Sequence, residues 1–435
     1  VPGIFGVYPF GEGRENWNAS RFLYFGLSAL QGRGQEIASI ALFDAGKKSF
    51  SVITEKGLVD DLFRNGRKFP ASFLGLGLVS AFEDDSIIEV KSPTKLVLAG
   101  DGKPLLHKEK AKAFRNLAET LSEKLAENKD SIRAVTEMLS EVKGGFSFIA
   151  IVENQEMICV RDKMGVKPLE VGAVGFDLGV VASETCALDV IGAGHTGSIK
   201  PAEVIVLDPL SIRRKITPSS KKSQCSFEFV YLARPDSYIG SVSVYEVRER
   251  IGETLATESP ARGDVIVGVP ETALPFAVAY SRATKIPNKL GFTRTGRHMR
   301  TALKPTQFER ISGVQLKLNP IRSAIEKKET ILIDDSIVRG NTLKNTVLNM
   351  KRKGAKKVHV RVGSPALVSE CPYGVDVPPK DELIGRNVSG KEIAQIIGAD
   401  SFAYLSTEGL AKAIGLTSKE LCMGCFTGKY PEKVQ

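Results

Sequence analysis

The sequence predicts two domains of different architecture, a layered α+β half followed by an open, parallel α/β sheet. Three observations lead there. Up to about residue 215, short apolar strands and amphipathic helices interleave without regular alternation; from Cys225 onward the pattern changes to repeated strand–helix units; between them a polar, basic stretch from Ser211 to Ser223 reads as a linker. With 435 residues, 42 % of them apolar, the chain is long enough for each half to bury its own core.

In the first half, strands are expected at Ser51 to Ile53, Phe146 to Val152 and Val204 to Leu207, and helices at Ala111 to Glu127 and Ser131 to Val142. In the second, Asp264 to Val269 reads as a strand, Phe276 to Arg282 as a helix, and Thr330 to Ile333 as a buried strand running into Asp334-Asp335-Ser336. A helix from Thr342 to Lys353 follows, with Leu343, Val347 and Met350 on one face and Gly354 as its stop, and then a strand from Val358 to Val362. The expected division is residues 1–224, residues 225–402, and a tail of residues 403–435 that carries Cys422 and Cys425.

No apolar run reaches the roughly 18 residues needed to cross a bilayer, and no basic stretch precedes an apolar core near the start, so a cytoplasmic protein without a membrane partner is expected. The formal charge of +10 is spread along the chain rather than gathered into an arm or an aromatic-interleaved patch. That distribution argues against nucleic acid and suits small anionic substrates. Six cysteines in a long chain of this kind suggest metal binding rather than a disulfide framework.

The chemistry concentrates in Ile331-Leu332-Ile333-Asp334-Asp335-Ser336-Ile337-Val338-Arg339-Gly340-Asn341-Thr342, placed where a strand ends and a helix begins, the usual ligand position in open α/β sheets. The loop from Ser336 through Ile337, Val338, Arg339, Gly340 and Asn341 to Thr342 can wrap a phosphate with amides and hydroxyls, helped by the helix N-terminus. The carboxylates of Asp334 and Asp335 can accept hydrogen bonds from paired ribose hydroxyls and balance positive charge developing on the ring.

This string is very similar to the phosphoribosyl pyrophosphate (PRPP) motif of phosphoribosyltransferases, in the version found in glutamine PRPP amidotransferases; Asn341 stands where that family usually has Thr. Further stretches extend the resemblance. Cys225-Ser226-Phe227-Glu228-Phe229-Val230-Tyr231-Leu232-Ala233-Arg234-Pro235-Asp236-Ser237 resembles the family's domain-joining signature. Arg161 to Leu169 and Ala182 to Leu188 match parts of its glutaminase domain. The resemblance implies an Ntn-hydrolase-type αββα sandwich joined to a type I phosphoribosyltransferase, with Mg2+ held with PRPP at Asp334 and Asp335. It also implies contacts to PRPP from Pro270, Glu271 and Thr272, from Arg294 and Arg300 in a flexible loop, and from Lys317.

Departures from the family fall mostly in the first half. Pro2 occupies the position of the glutaminase nucleophile, and proline carries no nucleophilic side chain. Leu78-Val79-Ser80-Ala81 replaces a stretch whose cation clamps the glutamine carboxylate, and Gly100-Asp101-Gly102-Lys103 puts an acid where an oxyanion would form. The chain is also shorter after Asp84 than the family pattern, and Arg33, in Gln31-Gly32-Arg33-Gly34-Gln35, survives in a role expected to be structural. In the second half the pyrophosphate loop Val269-Pro270-Glu271-Thr272-Ala273-Leu274 has lost its glycine.

Cys422 and Cys425 form a CxxC that alone fits a zinc knuckle, a redox pair or nothing. With Cys225 and Cys371 they match the positions that hold a [4Fe-4S] cluster in one branch of the family, although four thiolates suit a cubane or a tetrahedral zinc equally. Cys159 and Cys186 are expected to be core thiols. The functional expectation is an amidophosphoribosyltransferase-like protein that binds Mg-PRPP and transfers ammonia to C1 without hydrolysing glutamine. The alternative is a catalytically silent subunit paired with an active paralogue and binding PRPP or purine nucleotides. A homo-oligomer or such a hetero-oligomer is expected in either case.

Overall fold

Long runs of residues buried on both faces decide how the first 216 residues stack, because a strand hidden on both sides must lie between two layers. The computed structural model describes residues 1–64, 67–218, 222–294 and 318–432, with the side chains of 294 and 387 outside that description. Gly3–Pro9, Gly75–Ser80 and Gly144–Val152 are buried at every position. Two antiparallel sheets result. One runs, in spatial order, Gly194–Ser198, Glu170–Val174, Leu178–Ala182, Gly3–Pro9, Gly75–Ser80, Ile37–Asp44, Ser49–Lys56. The other runs Ser211–Ile216, Glu203–Asp208, Met157–Arg161, Gly144–Val152, Leu96–Pro104, Ile88–Val90.

Alternation along these strands sorts side chains into three apolar layers. Ile4, Leu76, Leu78, Val97, Ile149 and Ile151 fill the space between the sheets. Phe5, Val7, Ile40 and Val79 face Leu23 and Leu27 of the helix Ala19–Ala29. Leu96, Leu98, Phe146 and Phe148 meet Phe114, Leu117 and Leu121 of Lys110–Glu127 and Val135 and Met138 of Ser131–Glu141. The layers are therefore αββα. Gly26 permits the close helix approach, since a Cβ there would lie 2.5 Å from the Phe5 ring.

The second half holds a four-stranded parallel sheet in the order Val265–Gly268, Glu329–Asp334, Lys357–Val362, Ser401–Tyr404. Val244–Glu258, Leu274–Thr284 and Thr407–Ile414 cover one face through Ile251, Leu255, Phe276, Tyr280 and Leu410. Asn341–Arg352 and Gly390–Ile397 cover the other through Leu343, Val347, Met350, Ile393 and Ile397.

Two sequence boundaries need correction. Ser211–Ile216 is an edge strand paired with Glu203–Asp208, so the polar stretch is not all linker. Its basic residues reach acids on neighbouring elements, Arg213 to Asp130 and Glu156 and Arg214 to Glu203. The expected boundary at residue 402 cuts the fourth parallel strand, and Thr407–Ile414 packs on Val244–Glu258. The last part then returns to the junction, where Gln224–Cys225 pairs in parallel with Leu421–Cys422. Among the described residues, no helix is long and apolar enough to cross a membrane.

Candidate functional site

Asp334 ends the second parallel strand and Asp335 begins the loop that leads into Asn341–Arg352. The pair is part-buried. The Asp335 amide donates to Asp334 Oδ1 at 2.9 Å, and the Ser336 hydroxyl donates to Asp335 Oδ1 at 2.7 Å. Burial, reinforced by the neighbouring Asp335 charge, raises the Asp334 pKa well above the usual carboxylate range. Burial also pushes Asp335 up to about 6, against the opposing pull of Ser336 and of Arg248. Two crowded carboxylates of this kind titrate as a pair and favour a cation between or beside them.

The loop then splits its duties. The Ile337 side chain is buried in one apolar layer and the partly buried Val338 packs against the other, while the Val338 carbonyl accepts from the Ile384 amide at 3.0 Å, so the phosphate-wrapping part expected of this stretch falls to its backbone amides. Arg339 pairs with Glu382. Gly340 caps the helix at φ 79°, a left-handed conformation that costs other residues strain, and a Cβ there would stand 3.0 Å from Ile384. Asn341 and Thr342 are exposed in the first helical turn.

Pro270, Glu271 and Thr272 follow the strand Val265–Gly268 at the same end of the sheet, tied there by the Val269 amide on the Ile333 carbonyl at 2.9 Å. Ala273 is buried under the loop. Arg294 contributes backbone to Phe292–Arg294, which pairs with Leu318–Pro320; its side chain, and Arg300 and Lys317 entirely, lie outside the described residues.

At the other candidate centre the sequence expectation changes. Asp101, which as an isolated acid would oppose an oxyanion, is fully buried with Arg33, Glu184, Glu228 and Lys167. Arg33 Nε donates to the Pro2 carbonyl at 2.9 Å; Nη1 meets Glu184 at 2.9 Å and Glu228 at 3.0 Å; Nη2 meets Asp101 at 3.0 Å and Glu228 at 3.1 Å. Burial alone would lower the Arg33 pKa, but Glu228, Asp101 and Glu184 raise it well above its ordinary value. Lys167 stands farther off, 3.5 Å from Glu228 and 4.0 Å from Asp101. Glu184 also accepts from the Arg234 amide and the Ser237 hydroxyl, each at 2.8 Å. The network thus spans both sheets of the sandwich and the domain-joining signature, with its arginine closed over Pro2.

The stretch expected to clamp the glutamine carboxylate is internalised too. Ser80 donates to Asp85 at 2.6 Å, and Lys110 reaches the same carboxylate oxygen at 2.6 Å.

Cys225, Cys371, Cys422 and Cys425 are free thiols lining one small pocket, together with Val166, Lys167, Phe227, Tyr373, Val375 and Tyr430. Burial raises all four thiol pKa values, Cys225 to about 12. Among the described residues no three His, Cys, Asp or Glu side chains converge closely enough to hold a single metal ion. Cys159 and Cys186 are buried core thiols.

Of the five residues of the Arg33 network, the sequence singled out Arg33 and Asp101 and missed the roles of Lys167, Glu184 and Glu228. A signal existed for two of them: Glu228 sits inside Phe227-Glu228-Phe229-Val230, and Lys167 sits between Val166 and Pro168-Leu169. A lone charge within an apolar run is a buried-partner signature.

Comparison with known proteins agrees with this geometry. The glutamine amidotransferase domain family matches residues 105–190. An amidophosphoribosyltransferase of Methanocaldococcus jannaschii is 37 % identical, the match covering 99 % of this chain and 98 % of that one. The Bacillus subtilis amidophosphoribosyltransferase is 34 % identical, the match covering 99 % of this chain and 94 % of that one. The solved structure of glutamine PRPP amidotransferase from B. subtilis complexed with ADP and GMP superimposes with a TM-score of 0.86 at 33 % identity, covering 100 % of this chain and 98 % of that one. The fold, the strand-end acid pair and the full-length likeness to relatives that carry this activity in their names lead to one conclusion: the chain belongs to the amidophosphoribosyltransferase family.

Proposed function

We propose that the chain is an ammonia-dependent PRPP transferase whose glutaminase half is silent. The observation that carries the second clause is the Arg33 network: Pro2 offers no nucleophile, and Asp101, the acid expected to face a developing oxyanion, is buried and paired with Arg33 beside it. In the transferase half, Asp334 and Asp335 lie at a strand end ahead of a helix N-terminus, where they can hold the ribose hydroxyls of PRPP. Mg2+, when bound with PRPP, supplies charge neutralisation on the pyrophosphate, and a cation of this kind typically needs only one or two protein carboxylates. The C1–O bond breaks as pyrophosphate leaves, the ammonia lone pair forms the C1–N bond, and the added nitrogen gives up a proton to water. The protein's share is positioning and electrostatic stabilisation. Ammonia comes from solution or from a partner glutaminase.

We assign the four-cysteine pocket to a [4Fe-4S] centre that pins the C-terminal segment to the junction; a set of four thiols lining one pocket supports it. Purine nucleotides are proposed as regulators on the strength of the ADP and GMP named with the B. subtilis relative. A second reading, a non-catalytic subunit binding PRPP beside an active paralogue, draws on the acid Glu271, which is exposed in the loop expected to receive pyrophosphate. Pyrophosphate release from Mg-PRPP, with ammonium or with purine bases, tests the choice. Release with ammonium supports the transferase, base-dependent release makes it a salvage enzyme, and PRPP binding without any release makes it a silent subunit.

A further inference from the structure

Lys167 belongs to two sites at once. Its side chain is fully buried, and it is the only basic residue among the described residues lining the four-cysteine pocket. Its ammonium also faces the carboxylates of the Arg33 network, at 3.5 Å from Glu228 and 4.0 Å from Asp101. Those distances contrast with the 2.9 to 3.1 Å contacts of Arg33, which satisfies Glu184, one Asp101 oxygen and both Glu228 oxygens. The remaining oxygen, Asp101 Oδ1, is buried and has no hydrogen-bond donor. The ammonium is therefore held at arm's length by the network, on the side where the thiols lie.

The backbone keeps the two sites in fixed relation. The Cys225 amide donates to the Val166 carbonyl at 3.1 Å, so the residue before Lys167 is strapped to a pocket thiol. Cys225 pairs with Cys422, and Glu228 follows Cys225 by a single turn. A cradle of four thiolates around either an iron–sulfur cubane or a zinc ion is net anionic, and in a desolvated pocket an uncompensated charge is costly. Among the described lining residues the one cation is Lys167, which the carboxylates hold loosely; Lys103, outside that lining, acts on Cys371 more weakly.

We propose that Lys167 is the shared countercharge of the four-cysteine centre and the Arg33 network, so that filling the pocket draws Lys167 toward the thiolates and the two sites trade stability through it. This rests on the assignment of a metal centre to the pocket. Because Asp101 competes for the ammonium, neutralising Asp101 releases Lys167 to the centre, whereas removing the ammonium strips the centre of its counterion. A merely structural role for either residue would move every readout in the same direction.

The experiment is anaerobic reconstitution of the full chain with iron and sulfide, then measurement of bound iron, of the rate of iron release to a chelator, and of the thermal midpoint. Lys167→Met is expected to release iron about tenfold faster than wild type, a difference near 1.4 kcal/mol. Lys167→Arg is expected to retain slow release. Asp101→Asn is expected to slow release while lowering the thermal midpoint, since Arg33 loses a partner. If Lys167→Met does not fold, Lys167→Arg and Asp101→Asn still decide: faster release from Asp101→Asn overturns the coupling. Release from Lys167→Met at the wild-type rate also overturns it. A wild-type chain that binds no iron refutes the centre itself, and the coupling with it.

Discussion

Replacing Arg33 with Met keeps much of the apolar volume and removes the guanidinium that holds the junction together. In the native chain that group donates to the Pro2 carbonyl and to Glu184, Asp101 and Glu228 at 2.9 to 3.1 Å, with all three carboxylates no more than 1 % exposed. The variant leaves three buried acids with only Lys167 nearby, at 3.5 and 4.0 Å from two of them. Removing one member of a buried charge pair costs about 3 to 5 kcal/mol. For a half of roughly 200 residues each kcal/mol moves the midpoint by about 2 to 4 °C, so the expected loss is roughly 6 to 20 °C. Differential scanning calorimetry should be read as a shift of the relevant transition, because two domains need not unfold together. Arg33→Lys, which keeps the charge without the fork, should fall between. Combining Arg33→Met with Asp101→Asn and Glu184→Gln should recover part of the loss, since the acid that remains, Glu228, keeps Lys167 as its partner at 3.5 Å. A midpoint unchanged by Arg33→Met, or a triple variant worse than the single one, would refute the reasoning.

The acid pair gives a pH prediction. Its folded pKa values are raised, so the native chain without ligand binds more protons than the unfolded one between about pH 4 and pH 6, and stability falls as pH rises through that window. Mg-PRPP affinity should move oppositely, weakening as pH drops below about 6, a trend that titration calorimetry at several pH values would detect. Asp335→Asn should therefore raise the thermal midpoint of the ligand-free chain while lowering PRPP affinity at least about tenfold, in keeping with the loss of a charged hydrogen-bond partner. Gly340→Ala, forced to φ 79° and against Ile384, should cost about 1 to 2 kcal/mol in a denaturant titration and weaken PRPP binding. Pro2→Cys should produce no glutamate from glutamine, because Arg33 and Asp101 still close the site; glutamate formation by this variant would show that the network leaves room for substrate.

Much of the fold was legible because its elements announce themselves locally. The helix Asn341–Arg352 is framed by Gly340 and Gly354 and carries an apolar stripe, and its sequence-based bounds differ by one residue at each end. The strand Glu329–Asp334 is an apolar run ending in two acids, which also exposes the candidate site. The errors arose where tertiary partners override local character. Ser211–Ile216 looks like a linker until Glu203, Asp130 and Glu156 neutralise its arginines. Asp101 looks hostile to function until Arg33, some 70 positions earlier, is folded against it. No spacing rule connects Arg33, Asp101, Lys167, Glu184 and Glu228; only the stacking of two sheets on the domain-joining segment brings them together.

The central claim separates the two half-reactions, so both should be counted in one mixture. Purified chain with Mg-PRPP is given either ammonium or glutamine, and pyrophosphate and glutamate are quantified together over the same time course. The account predicts pyrophosphate with ammonium and neither product with glutamine. Glutamate appearing in step with pyrophosphate when glutamine is the only nitrogen source would contradict it.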